Sequence, residues 1–375
     1  MLQLSAEDNL RLNVLLSQEL YAVRIDESKM IVYALTGKGE AKVPLNPIGK
    51  DETYIKEVKA LFSTHVMGSP GGYPVYLKRW TRMGQARDES LAQLLLLGEP
   101  EAVVAAVHAP GLSDELASRA WWAMPTSENA RRMLEKQAVA EGETGKVLAD
   151  FLIEFLPFEE EQKDMIESVR LVLQPGLISQ EDKEKLWKKT RTKRSFYVGF
   201  LHAAADNLPI DVDAHTEHEN IKQQLSPLIE KNNPYAVLLD KVLSEKGQAF
   251  LQTVEDAFKK PGNQDVVVSL LAAVAKYFES IMPEQFTEDD IEVVCSEAEL
   301  FCCADNVDIN EVLNAFDENK DKVQAYLCAM IVLACLSVKL VNPIFARTDA
   351  IGTVMRKKIK PVTDPIIEQL HILRS

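Results

Sequence analysis

Long apolar runs are the first thing this sequence has little of. The longest is Ala325 to Val338, fourteen residues broken only by Ser337 and closed by Lys339. A helix crossing a bilayer needs about 20 such residues, so the run predicts a helix buried on all sides in a large helical core, without membrane insertion. Cysteine is also scarce. There are five in 375 residues, an odd number with no Cys-x-x-Cys, which excludes a disulfide framework. Glu7 and Asp8 stand where a signal peptide needs basic and then apolar residues, so a cytoplasmic protein is expected. Nucleophile signatures are missing too. There is no Gly-x-Ser-x-Gly and no Gly-x-Gly-x-x-Gly, and His65, His108, His202 and His371 make no triad pattern. No catalytic or cofactor-binding residue is therefore assigned, no cofactor is implied, and a non-catalytic role is expected.

What is present is an acidic, globular composition. Apolar residues make up 46% and charged residues 26%, which argues against global disorder. Lys plus Arg is 42 against 57 for Asp plus Glu, a net charge of −15. That balance disfavours nucleic acid and favours protein partners. The charge is segregated. Residues 284 to 322 hold thirteen acids and two bases, net −11, so the other 336 residues carry only −4. Lys185 to Arg194, by contrast, holds six bases and no acid.

The predicted fold class is mostly α: a small N-terminal α+β unit (1–74), a HEAT-like helical-hairpin middle region (75–208) and a C-terminal helical bundle (209–375). Residues 5–17 have helical periodicity, with Ser5 or Asp8 as cap candidates and Leu10, Val14 and Leu15 on one face. Leu20–Ile25, Met30–Leu35 and Ala41–Leu45, separated by turn residues, predict a short meander covered by a helix over 51–67. Gly68 to Pro74, with three glycines and two prolines, is the expected boundary. Beyond Gln85 short apolar-periodic segments alternate with tight breaks: 99–108, 113–124, 127–139, 144–156 and 159–173. Pro110-Gly111-Leu112 and Pro175-Gly176-Leu177 echo each other, as stacked helical hairpins would. Asn207 to His218 reads as a linker, followed by longer helices over 265–282, 288–302 and 322–340.

Several patterns carry chemistry. Ala140 to Val147 resembles the end of a P-loop but lacks the first glycine and the final Ser or Thr, so a helix-to-helix turn is expected. Asp317, Asn319 and Asp321 open like a calcium loop, yet Lys322 occupies the obligatory glycine position. The densest ligand-type cluster is Asp211, Asp213, His215 and His218. If helical, the two imidazoles share a face, and the carboxylates complete a metal shell. Cys295 and Cys302 lie seven apart, as do Cys328 and Cys335. Each pair shares a helical face, and two antiparallel helices would bring the faces together as a thiol site, although buried packing is the commoner role of cysteine. Lys185, Lys188, Lys189, Arg191, Lys193 and Arg194 form a candidate basic docking run, and Lys78 to Arg82 a smaller one.

Three stretches, Val75 to Gln85, Arg119-Ala-Trp-Trp-Ala-Met124 and Ala130-Arg-Arg-Met-Leu134, resemble the DsrS family, encoded with the dissimilatory sulfite reductase genes of sulfur-oxidising bacteria. The resemblance implies a cytoplasmic accessory of sulfur oxidation and brings no catalytic residues with it. Two functional expectations follow: an interaction protein supporting that system, or a metal- or sulfur-carrying protein using the 211–219 cluster or the 295–335 cysteines.

Overall fold

The computed structural model describes residues 4–68, 88–283, 289–303, 306–316 and 319–375. The boundary segment from residue 69 on, the 75–85 stretch, the 78–82 basic patch and Asp317 lie outside the described residues. The protein is mostly helical, with one small sheet near the N-terminus among the described residues. Its contacts divide it into two compact units, Met1–Pro157 with Gln174–Ile178, and Phe158–Leu173 with Ser179–Ser375.

In the first unit, helix α1 (Ala6–Leu16) precedes strands β1 (Leu20–Asp26), β2 (Ile31–Thr36) and β3 (Gly39–Pro44), and α2 (Asp51–Met67) follows. The strands form an antiparallel meander in the order β1-β2-β3. Val32 and Ala34 on one face of β2 join Leu12, Leu15, Leu16, Tyr54, Val58 and Phe62 in a closed core. This corrects the expected face of α1. Leu10 and Val14 are exposed, and Leu12 and Leu16 take their place inside. Ser5 is the N-cap, accepting from the Asp8 N–H at 3.1 Å. Asp8 is instead fully buried. Its carboxylate accepts from the Tyr54 hydroxyl at 2.5 Å and the Asn46 N–H at 2.7 Å, which ties α1 to α2 and to the segment before it.

Among the described residues that follow, this unit is a run of short helices: α3 (Asp88–Leu94), α4 (Pro100–His108), α5 (Asp114–Ala123), α6 (Ser127–Leu134), α7 (Gln137–Ala140) and α8 (Glu143–Phe155). The single helix expected over 127–139 is two, because the chain turns after Leu134 and restarts at Gln137. Helix α4 packs on α5 and α6, and both of these pack on α8. Ala140 to Val147 is the turn from α7 into α8. A Cβ at Gly142 would fall 2.2 Å from Asp114 Cγ, so the turn presses against the α5 N-terminus and leaves no phosphate cradle.

The second unit holds α9 (Gln162–Val172), α10 (Gln180–Lys189), α11 (Ser195–Ala203), α12 (His218–Glu230), α13 (Pro234–Leu243), α14 (Glu245–Lys259) and α15 (Gln264–Phe278). Helices α16 (Ile291–Cys303), α17 (Val307–Asn314), α18 (Lys320–Ala334), α19 (Asn342–Phe345) and α20 (Gly352–Ile372) complete it. Helix α18 is central, packed by α13, α15, α16, α17 and α20. Nine of its residues are buried, which accounts for the long apolar run. The helix ends at Ala334, and Val338–Leu340 is a separate turn of 3-10 helix. No helix among the described residues is long and apolar enough to cross a membrane.

Candidate functional site

The 211–219 cluster does not converge. The residues before His218 are not helical, so the spacing of three does not put the imidazoles on one face. His215 Nδ1 accepts from the Glu217 N–H at 3.2 Å. The proton therefore sits on Nε2, which donates to the main-chain oxygen of Ser375 at 2.7 Å. His215 N–H also donates to Leu243 O at 2.9 Å, and Tyr326 packs edge-on to the ring. His218 Nε2 donates to Asp240 Oδ1 at 2.9 Å. Both histidines are buried and spent on internal bonds. Asp211 and Asp213 line a different feature, a surface groove shared with Asp206, Glu245 and Lys246. The expected linker is thus a packed segment of the second unit. Among the described residues no three His, Cys, Asp or Glu side chains come together to hold a metal ion.

The cysteines behave differently. Helix α16, which carries Cys302, packs on α18, which carries Cys328. The interaction between the two thiols raises the pKa of Cys302 and lowers that of Cys328, and burial pushes Cys302 up further. Near the same helix ends the Gln324 side-chain amide donates to Cys303 Sγ at 3.3 Å. Cys335 is also buried. Burial, with Glu297 nearby, pushes its thiol up to about 12.

Cys295 and Cys328 both line a groove of 580 Å³ among α16, α18 and α20. Its other polar walls are Glu292, Glu299, Asp321, Gln324, Glu368 and Gln369, with no Lys, Arg or His. Burial pushes the Cys295 thiol up, and Glu299, Glu368 and Glu292 push it further in the same direction. The site follows from helical periodicity. Glu292, Cys295 and Glu299 recur at three and four residues along α16, and Asp321, Gln324 and Cys328 do so along α18. Glu292, Glu299 and Asp321 fall inside the acidic 284–322 segment, so sequence composition pointed toward them. The contribution of α20 had no sequence signal, because Glu368 stands in a chain segment of mixed charge.

The basic run is not a single face. Lys185 bridges Glu181 at 2.9 Å and Asp182 at 3.2 Å on its own helix. Arg194 sits over the Tyr197 ring at 5.3 Å, and the Lys193 ammonium lies 4.0 Å from Met165 Sδ. Trp187 packs edge-on against Tyr197 and Phe200. Lys188, Lys189 and Arg191 remain exposed, with no ion pair among the described residues. At the C-terminal end of α10 they complement the helix dipole. In the first unit, Arg119 stacks over Tyr21 at 4.6 Å and pairs with Glu115. Trp122 faces Arg24 at 4.9 Å and donates to Glu40 at 3.1 Å. These residues of the 119–124 stretch fasten α5 to the sheet.

No family model, no curated protein and no solved structure matches the chain.

Proposed function

We propose that this chain is a non-catalytic interaction protein, an accessory of cytoplasmic sulfur oxidation that works beside the dissimilatory sulfite reductase system. The observation that carries the docking role is the groove among α16, α18 and α20. Four carboxylates, those of Glu292, Glu299, Asp321 and Glu368, line it without a facing cation. All four residues are exposed, so their charge is solvated at rest and free to meet a basic segment of a partner. The resemblance at 119–124 and 130–134 supplies the biochemical setting.

The test is recovery of partners from extract of a sulfur-oxidising bacterium at low salt, with the wild-type chain and a Glu299→Lys/Glu368→Lys variant. The proposal expects sulfite reductase proteins with the wild type and their loss with the variant. Recovery of no sulfur-oxidation protein by the wild type overturns it.

A second reading, a sulfur carrier, is favoured by Cys295 and Cys328, which both line this groove. Its test is persulfide mass spectrometry on protein purified from cells oxidising sulfur. Unmodified thiols throughout would remove it.

A further inference from the structure

The two edges of the N-terminal sheet differ. At the β1 edge the Val23 N–H donates to Leu95 O at 2.8 Å, and α5 packs on the strand. At the β3 edge Gly39, Glu40 and Lys42 are exposed. The main-chain groups of Glu40 and Lys42 have no partner among the described residues. Their direction follows from the ladder. Strands β2 and β3 pair Thr36 with Gly39, Ala34 with Ala41 and Val32 with Val43, and one step beyond, the Leu45 N–H donates to Met30 O at 2.8 Å. Hydrogen-bonded pairs recur at every second residue of an antiparallel ladder. Gly39, Ala41 and Val43 therefore bond inward to β2, whereas Glu40 and Lys42 aim their N–H and C=O groups outward. Pro44 has the same outward parity but no N–H to offer, so it ends the usable edge.

We propose that this edge takes β3 of a second copy, paired antiparallel about Ala41. In that register Glu40 stands opposite Lys42 of the other copy, and Lys42 opposite its Glu40. Each opposed pair can exchange both main-chain bonds. The neighbouring registers of the same parity are worse. Centring on Glu40 sets two carboxylates against each other, and centring on Lys42 sets two ammoniums together and sets Glu40 against Pro44. Opposite charges across a strand pair stabilise it and like charges destabilise it. Lys42 has a charge to satisfy, since it has no ion pair among the described residues and lies 5.6 Å from the Tyr33 ring centroid. Glu40 is held on the same face by the Trp122 N–H at 3.1 Å and Arg24 at 3.4 Å. The incoming Glu40 extends the cross-strand row of Arg24, Tyr33 and Lys42. Helix α1 packs on β3 and exposes Leu10 and Val14, and the pairing brings both copies of α1 to one face of the joined sheet. The pairing uses the first unit alone and does not rest on the docking role proposed for the groove.

The experiment measures sedimentation equilibrium of the full chain over a concentration series, with circular dichroism and thermal unfolding to show that each variant is folded. The wild type is expected to pass from monomer to dimer as concentration rises. Lys42→Pro removes an outward N–H without touching a bond to β2, and is expected to leave a monomer. Lys42→Glu opposes carboxylates at both ends of the contact and is expected to weaken dimerisation by about tenfold. Adding Glu40→Lys to it restores opposite charges and the dimer, which a loss of folding would not do. Register is read by oxidative cross-linking in a Cys303→Ser background. Opposed residues of a non-bonded pair have Cα atoms about 4.5 Å apart, within disulfide reach. Ala41→Cys is therefore expected to link two copies faster than Glu40→Cys or Lys42→Cys. A wild type that stays monomeric up to about 1 mM overturns the proposal. A dimer indifferent to Lys42→Pro overturns the edge, and faster linking through position 40 or 42 overturns the register.

Discussion

At the scale of single residues, two carboxylates show how burial turns a charge into structure. Asp8 has no exposure and holds the Tyr54 hydroxyl and the Asn46 N–H. Burial, with that bond to Asp8, pushes the Tyr54 phenol up, so it stays a donor. Replacing Asp8 by Ala leaves both donors without their acceptor in a closed core. The expected cost is about 2–4 kcal/mol in urea unfolding followed by tyrosine fluorescence. The sequence offered Asp8 as a helix cap. Its real role was illegible because its partners lie 38 and 46 residues away.

Glu255 makes the complementary case near the end of α20. Burial alone would push its carboxyl up, but Lys259, Arg374 and His371 outweigh it and hold the group below its usual 4.5. A depressed carboxyl contributes stability above the unfolded value and loses it as pH falls through the folded value. Glu255→Gln is therefore expected to cost about 1 kcal/mol at neutral pH. The difference between variant and wild type should shrink as pH drops below 4.5. Chemical denaturation across that range checks the sign.

Elements were the most legible scale. The meander and both its helices lie within a residue or two of where alternation and turn chemistry put them, because each hydrophobic face has one short period. Helix ends failed where tertiary packing intervened, as at Leu134, where the chain turns and restarts as α7. Gly199 illustrates a constraint no pattern shows. It lies in α11 against α9, and an added Cβ would come within 2.6 Å of Val169 and 2.9 Å of Ile166 O. Gly to Ala inside an exposed helix gains about 1 kcal/mol. Here overpacking reverses the sign, and Gly199→Ala is expected to destabilise by about 1–3 kcal/mol in thermal unfolding.

The whole molecule redistributes the chemistry that the sequence suggested. The histidine cluster looked like a ligand set and is internal scaffolding, because His215 and His218 each turn toward a different partner. The cysteines looked like two pairs and instead divide by exposure, Cys295 and Cys328 lining the groove and Cys302 and Cys335 buried. The acidic segment stood out in the sequence as a concentration of charge beside the cysteines. Together with Glu368 from a remote helix, three of its acids form a groove of one charge sign. Helical periodicity made each wall readable, but only the three-dimensional packing of α20 closed the site.

The central claim is that this groove is the surface through which the protein works. The most direct measurement quantifies sulfite reductase proteins recovered side by side by the wild-type chain and by Glu299→Lys/Glu368→Lys, at low and high salt. The account predicts recovery by the wild type at low salt, loss at high salt, and loss at both salts with the variant. Recovery by the folded variant equal to that of the wild type would contradict it.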